Sequence, residues 1–117
     1  MPERALAAAE LAHLLGVLAH RDRVRIIEEL RNHELDVNAL QQLLGVSHSR
    51  VSQHLSVLRS NRLVMERREG RHVYYHLLLP DLASWLLDGL KFVASDLDLN
   101  AEMRNAIEKA RKIWTET

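Results

Sequence analysis

The stretch SHSRVSQHLSVLRSNRLV, residues 47 to 64, constrains this chain more than any other. Ser47 carries an oxygen that can accept from the unpaired N–H groups of a first helical turn, and LGVS, residues 44 to 47, supplies a glycine-containing turn before it. A helix is therefore expected from His48. Val51, Leu55 and Leu58 fall at i, i+4 and i+7, which predicts one buried stripe. His48, Ser49, Arg50, Ser52, Gln53, His54 and Arg59 are then left on the outer faces, almost all of them hydrogen-bond donors or acceptors. The preceding DVNALQQLLG has its own apolar spacing in Val37, Leu40, Leu43 and Leu44, with Asp36 as a cap. Two short helices joined by a tight turn predict a helix-turn-helix, whose second helix is suited to enter a DNA major groove by its N-terminal end.

The next segment, VMERREGRHVYYHL, residues 64 to 77, reads as two strands around Glu69-Gly70, with Gly70 supplying the positive φ that a hairpin turn commonly needs. Val73, Tyr75 and Leu77 share one face, and Tyr74 and His76 the other. Arg67, Arg68, Arg71 and His72 gather at the tip. The expected fold class is mainly α with a basic β-hairpin wing: a winged helix-turn-helix.

A formal net charge of zero is awkward for a DNA binder until it is divided along the chain. Residues 1 to 46 hold five Arg against seven Asp and Glu, net −2, and residues 77 to 117 hold five Lys and Arg against seven, again −2. Residues 47 to 76 hold six Arg against two Glu, net +4. The positive charge sits on the segment expected to face the duplex. The neutral total predicts modest non-specific affinity that is sensitive to salt.

With 117 residues, 47% of them hydrophobic, the chain reads as one small domain, residues 1 to 117, for which a symmetric homodimer would add buried area. The absence of cysteine excludes disulfides, thiolate metal sites and thiol redox sensing. No apolar run approaches the ~20 residues that span a bilayer, and MPERALAAAE lacks a signal-peptide pattern, so no membrane association and a cytoplasmic location are expected.

Outside the central segment, residues 4 to 19 predict an alanine- and leucine-rich helix with an apolar surface wider than one stripe. Asp22 is a candidate cap for a second helix, RVRIIEELRNHE. Pro80 opens a long apolar helix, DLASWLLDGLKFVASDL, which DLDLN, residues 96 to 100, interrupts. Asn100 caps a last helix with Met103, Ile107, Ala110 and Trp114 as its stripe. Residues 1–20 and 80–117 are expected to be dimerisation helices around a DNA-binding core at 22–78.

The run ELDVNALQQLLGVSHSRVSQHLSVLRSNRLVMERREGRHVYYHL resembles the ArsR (ArsR/SmtB-like) family of bacterial winged-helix repressors, over residues 20 to about 95. SxSxVSxHLxxLRxxxLV and RREGRxVYY are its specific parts. The resemblance implies a homodimer joined by the first and last helices, recognition helices in successive major grooves of an inverted repeat, and an effector that changes operator affinity. It places DNA-contacting positions at His48, Ser49, Arg50, Ser52 and Gln53, with Arg68 and Arg71 on the wing; Arg67, at the same basic tip, is a further DNA-contacting candidate. Arg50 suits guanine and Gln53 adenine, while Ser49 and Ser52 suit phosphates.

The departures from the family bear on the effector. Where metal-sensing members read ELCVCDL this chain reads ELDVNAL, with Asp36 and Asn38 in place of both thiolates. Residues 77 to 117 contain no histidine, so the family's Asp-x-His site on the last core helix is also missing. No cofactor or resident metal is expected. Two effector readings remain: a small molecule or partner protein acting at the dimer helices, or a hard or borderline metal held by His13, His20 and His33 with Asp88 or Glu34. His13 and His20 are seven residues apart, about 10 Å along a helix, too far to share one ion without other elements. An enzyme is not expected, because the Ser and His residues of 47–54 share one exposed helix with no orienting third group and no clustered glycines. A winged helix that binds protein would need an apolar or acidic outer face on the second helix.

Overall fold

The computed structural model describes residues 1–96 and 98–115, so Leu97 within the expected DLDLN break, Glu116 and Thr117 lie outside the described residues. The elements are α1 (Pro2–Leu18), α2 (Arg21–Glu29), α3 (Val37–Leu44), α4 (His48–Ser60), β1 (Val64–Glu69), β2 (His72–Leu77), α5 (Asp81–Asp88), α6 (Leu90–Ala94) and α7 (Ala101–Thr115). Ile26 and Ile27 of α2, Leu40 of α3, Val51, Leu55 and Leu58 of α4 and Val64 of β1 are almost wholly buried and form the centre of the core. The stripe expected on residues 51, 55 and 58 is thus the face that α4 turns inward.

Capping fixes where these helices begin. Asp36 accepts from the Ala39 N–H at 2.8 Å and Ser47 from the Arg50 N–H at 3.1 Å, as the sequence predicts. Between them Gly45 takes φ +69°, a left-handed conformation that lets the chain leave α3 and enter α4 within three residues. At the other end of α4 the left-handed position falls on Arg62, φ 61°. The Leu63 N–H reaches the Leu58 carbonyl and the Arg62 N–H that of Arg59, both at 3.0 Å, the bond pair of a Schellman motif.

β1 and β2 pair antiparallel from Val64↔Leu77 to Glu69↔His72. The two-residue loop is therefore Gly70-Arg71, one residue later than the Glu69-Gly70 expected, with positive φ at its first central residue. Leu35 exchanges both backbone bonds with Tyr75 (3.1 and 2.8 Å), a short third edge that fastens the wing to the chain before α3.

The flanking helices depart further from expectation. Residues 80–95 do not make one helix: α5 ends at Asp88 and α6 restarts after Gly89, where a Cβ would stand 3.1 Å from the Leu86 carbonyl oxygen. α2 stops at Glu29, short of the His33-Glu34 expected, and α1 begins at Pro2. Asn100 does cap α7, accepting from the Met103 N–H at 2.8 Å, but Met103 itself is exposed. α7 is fastened by Arg104, which donates to the carbonyls of Ala94, Asp96 and Leu99, and by Arg31, which donates to that of Ile113. Of α1 only Val17 and Leu18 are buried. Leu6, Leu11 and Leu15 of α1, Trp85 of α5 and Phe92 and Val93 of α6 remain exposed. The radius of gyration is 15.8 Å, against about 13 Å for a compact chain of this length.

Candidate nucleic-acid interface

The first turn of α4 has N–H groups that the helix itself cannot satisfy, and Ser47 takes one of them. His48, Ser49, Arg50 and Gln53 are exposed and Ser52 half-exposed on the two N-terminal turns. The wing approaches this end: Arg71 and His72 line a shallow groove of about 200 Å³ together with His48 of α4 and Asn38 of α3. Arg68 and Arg71 are exposed and make no ion pair among the described residues. The helix start and the wing tip thus form one basic, donor-rich surface.

Arg67 is placed differently from the other arginines expected there. Its Nε donates to both oxygens of Glu34 (2.9 and 3.0 Å), its Nη1 to Glu69 (2.9 Å), and its guanidinium lies 5.0 Å from the Tyr74 ring centre. Two carboxylates neutralise it, and Glu34 also lies 3.4 Å from His76 Nδ1. This side chain ties the wing to the residue next to Leu35.

His54 is not on an outer face as expected; it is buried, as is Asp22, which is 4% exposed. The cap of α2 is His20, whose Nδ1 accepts from the Asp22 N–H at 3.0 Å, so the Asp22 carboxylate is free to turn inward. Its Oδ2 accepts from Arg50 Nη2 at 2.6 Å and lies 3.5 Å from His54 Nε2. Arg23 Nε donates to His54 Nδ1 at 3.1 Å while its Nη1 donates to the Val17 carbonyl at 2.9 Å. Burial, then the neighbouring His20 and Arg23, hold the His54 imidazole below the usual histidine range, which keeps it neutral and Nδ1 available as an acceptor. Nothing in the local sequence signals this network, because Arg50 and Asp22 are 28 positions apart.

His20, Asp22 and His54 are also the group of three metal-ligand side chains among the described residues, with one donor atom from each lying within 4.8 Å of the others. Their hydrogen bonds oppose that use. Each ring accepts through Nδ1, which places its proton on Nε2, the nitrogen that would have to bind an ion. Two guanidiniums, Arg23 and Arg50, add positive charge beside the site. The donor set fits a hydrogen-bonded network and does not fit a cation. His13 and His33 do not join it: His13 Nε2 pairs with Asn61 Oδ1 at 3.0 Å, and His33 is exposed beyond the end of α2.

Residues 20–66 match the model of the family described as bacterial regulatory protein, arsR family. The regulator NmtR of Mycobacterium tuberculosis is 37% identical over 99 residues, covering 85% of this chain and 82% of that protein. The chain belongs to the ArsR family. A second relative, a transcriptional repressor SmtB homolog of Synechocystis, is 44% identical over 70 residues, 60% of this chain and 53% of that protein, so the match spans about half of its length. Among solved structures, NolR of Sinorhizobium fredii superposes with a TM-score of 0.70 at 34% identity, over 80% of this chain and 92% of that one. The fold is the winged helix-turn-helix of the ArsR family, as the sequence predicts. Within it, the positions at which metal-sensing members carry thiolates are Asp36, used up as the α3 cap, and Asn38. No helix of the described residues is long and apolar enough to cross a membrane.

Proposed function

We propose that this chain is a cytoplasmic, sequence-specific repressor that binds an inverted-repeat operator as a homodimer, and that it is not an enzyme. The observation that carries the reading is the shared surface of the α4 N-terminus and the wing tip, where His48, Arg71 and His72 meet. Arg50 and Gln53 read bases, worth about 1–3 kcal/mol each in discrimination for a bidentate contact. His48, Ser49, Ser52, Arg68 and Arg71 hold backbone and sugar. Arg67 supports the wing through Glu34 and Glu69.

Residues 22–78 act as the DNA-binding core, and 1–20 with 80–117 supply the dimer contacts. An exposed apolar α1 supports this, as does a groove of about 500 Å³ between α1 and α5 lined by Leu11, Leu14, Leu82 and Trp85, since single soluble chains rarely leave such surface open. The effector acts on those helices and is a small molecule or a protein, because the trio at Asp22 is set up as a hydrogen-bond relay.

Selection of duplexes from a random pool, followed by gel shift of the enriched sequence across a salt series, tests the reading. An inverted repeat bound by two protomers, with affinity falling steeply as salt rises, supports it. Failure to enrich any sequence would overturn it.

A further inference from the structure

Asp22 sits in α2, outside every motif that marks the recognition helix, yet its carboxylate is the partner of that helix's most informative side chain. The carboxylate is buried, with Arg50 Nη2 at 2.6 Å and His54 Nε2 at 3.5 Å from its Oδ2, and the backbone N–H of the same residue is pinned by His20. Arg50 is different, since its side chain is 48% exposed and makes no other side-chain hydrogen bond among the described residues. A guanidinium has five N–H donors in a planar fork, of which a guanine edge takes two. One Nη2 N–H given to a fixed acid leaves four donors, enough for the edge a base requires.

We propose that Asp22 is a positioning residue for base recognition: it grips one edge of the Arg50 guanidinium, so that the opposite edge is presented to a single base and withheld from phosphates. This rests on the reading of α4 as the recognition helix. Two physical effects follow from the pair. An arginine whose fork is already oriented loses less side-chain freedom when it meets a base. A carboxylate 2.6 Å from the guanidinium also cancels much of its charge, so Arg50 contributes little to sequence-independent attraction. Asp22 therefore favours discrimination at the expense of non-specific affinity.

The relay behind Asp22 extends this control. Arg23 links His54 to the Val17 carbonyl, the last turn of α1, so the seat of Arg50 is joined to the helix proposed to form the dimer by these two hydrogen bonds and the 3.5 Å contact between His54 and Asp22.

The test uses the full chain, a random-duplex selection, and salt titration of binding to a scrambled duplex. Wild type should show a strong preference at one base per half-site that Arg50→Ala abolishes. Asp22→Asn, which keeps the size of the buried side chain, should weaken that same preference roughly tenfold or more and leave the other positions unchanged. It should also steepen the salt dependence of non-specific binding by up to about 0.9 per protomer, because the freed guanidinium now reaches phosphate. A purely structural role would instead lower all affinities together with the melting temperature. An unchanged base preference and salt slope in Asp22→Asn overturns the proposal while leaving the DNA-binding reading intact; a wild type that selects no sequence overturns both. Should Asp22→Asn not fold, the operator complex of the wild type decides: Arg50 bound to Asp22 and a base together supports the proposal, and an Arg50 that has left Asp22 overturns it.

Discussion

Arg67 and Arg71 stand four residues apart on one hairpin in opposite surroundings, and a salt titration separates the roles proposed for them. Arg71 is exposed with no carboxylate partner among the described residues, whereas Arg67 is clamped by Glu34 and Glu69. Each lysine or arginine that neutralises a phosphate contributes about 0.9 to the slope of log affinity against log salt. With one Arg71 contact per protomer, a dimer carrying Arg71→Ala loses about 1.8 from that slope. Between about 50 and 200 mM salt, wild-type affinity should then fall about tenfold more than that of the variant, so the deficit of Arg71→Ala shrinks as salt rises. Arg67→Ala should change the slope by less than half as much, because the charge it removes is already neutralised in place. Fluorescence-anisotropy titrations of operator and scrambled duplex at four or five salt concentrations would measure both. Equal slope changes for the two variants, or a loss in Arg71→Ala confined to one operator base, would refute the assignment.

Arg62 occupies φ 61°, where a Cβ costs about 1–2 kcal/mol and glycine pays no such cost. Arg62→Gly should accordingly melt higher than Arg62→Ala by about 1 kcal/mol of stability, after allowing for the greater freedom of glycine in the unfolded chain; equal stabilities would remove the strain argument. Glu28 is 2% exposed and held by Arg25 and Arg31, yet burial, with Glu29 beside it, raises its carboxyl above the ordinary 4.5. A raised folded-state value means that protonation favours the fold, so its contribution grows as pH falls through that value towards 4.5 and is lost as pH rises. The stability of wild type relative to Glu28→Gln should therefore improve on acidification towards pH 4.5, and a change of opposite sign in denaturant titrations would contradict it. Calorimetric titration of dialysed protein with zinc, nickel and cobalt should reveal no stoichiometric submicromolar site, since ligation at His20 and His54 requires both rings to give up their Nδ1 hydrogen bonds; tight binding that weakens operator affinity would reverse that conclusion.

Local chemistry made much of this fold legible. Asp36, Ser47 and Asn100 were readable as caps because an acceptor before an apolar-periodic segment has few other uses, and each accepts the bond expected of it. The α4 stripe followed from helical spacing alone. What escaped was tertiary. Asp22 has the chemistry of a cap, but His20 takes that place, because the acid gains a guanidinium from a helix 28 residues away. His54 is polar and so reads as exposed, yet Arg23 satisfies it inside. The Leu35–Tyr75 bridge and the neutralisation of Arg67 by Glu34 both depend on a chain crossing that no periodicity encodes. The break at Gly89 was missed because a single glycine in an apolar run is ordinarily tolerated.

Mapping the DNA footprint on the protein itself tests the central claim most directly: backbone amide shifts recorded by NMR as a selected operator is added. The largest changes are expected at Ser47 and the first turns of α4, residues 48–53, and at the wing tip, Arg68 to His72, with small changes along the exposed face of α1. Changes centred on α1, α5 and α6 with residues 47–53 undisturbed would contradict it.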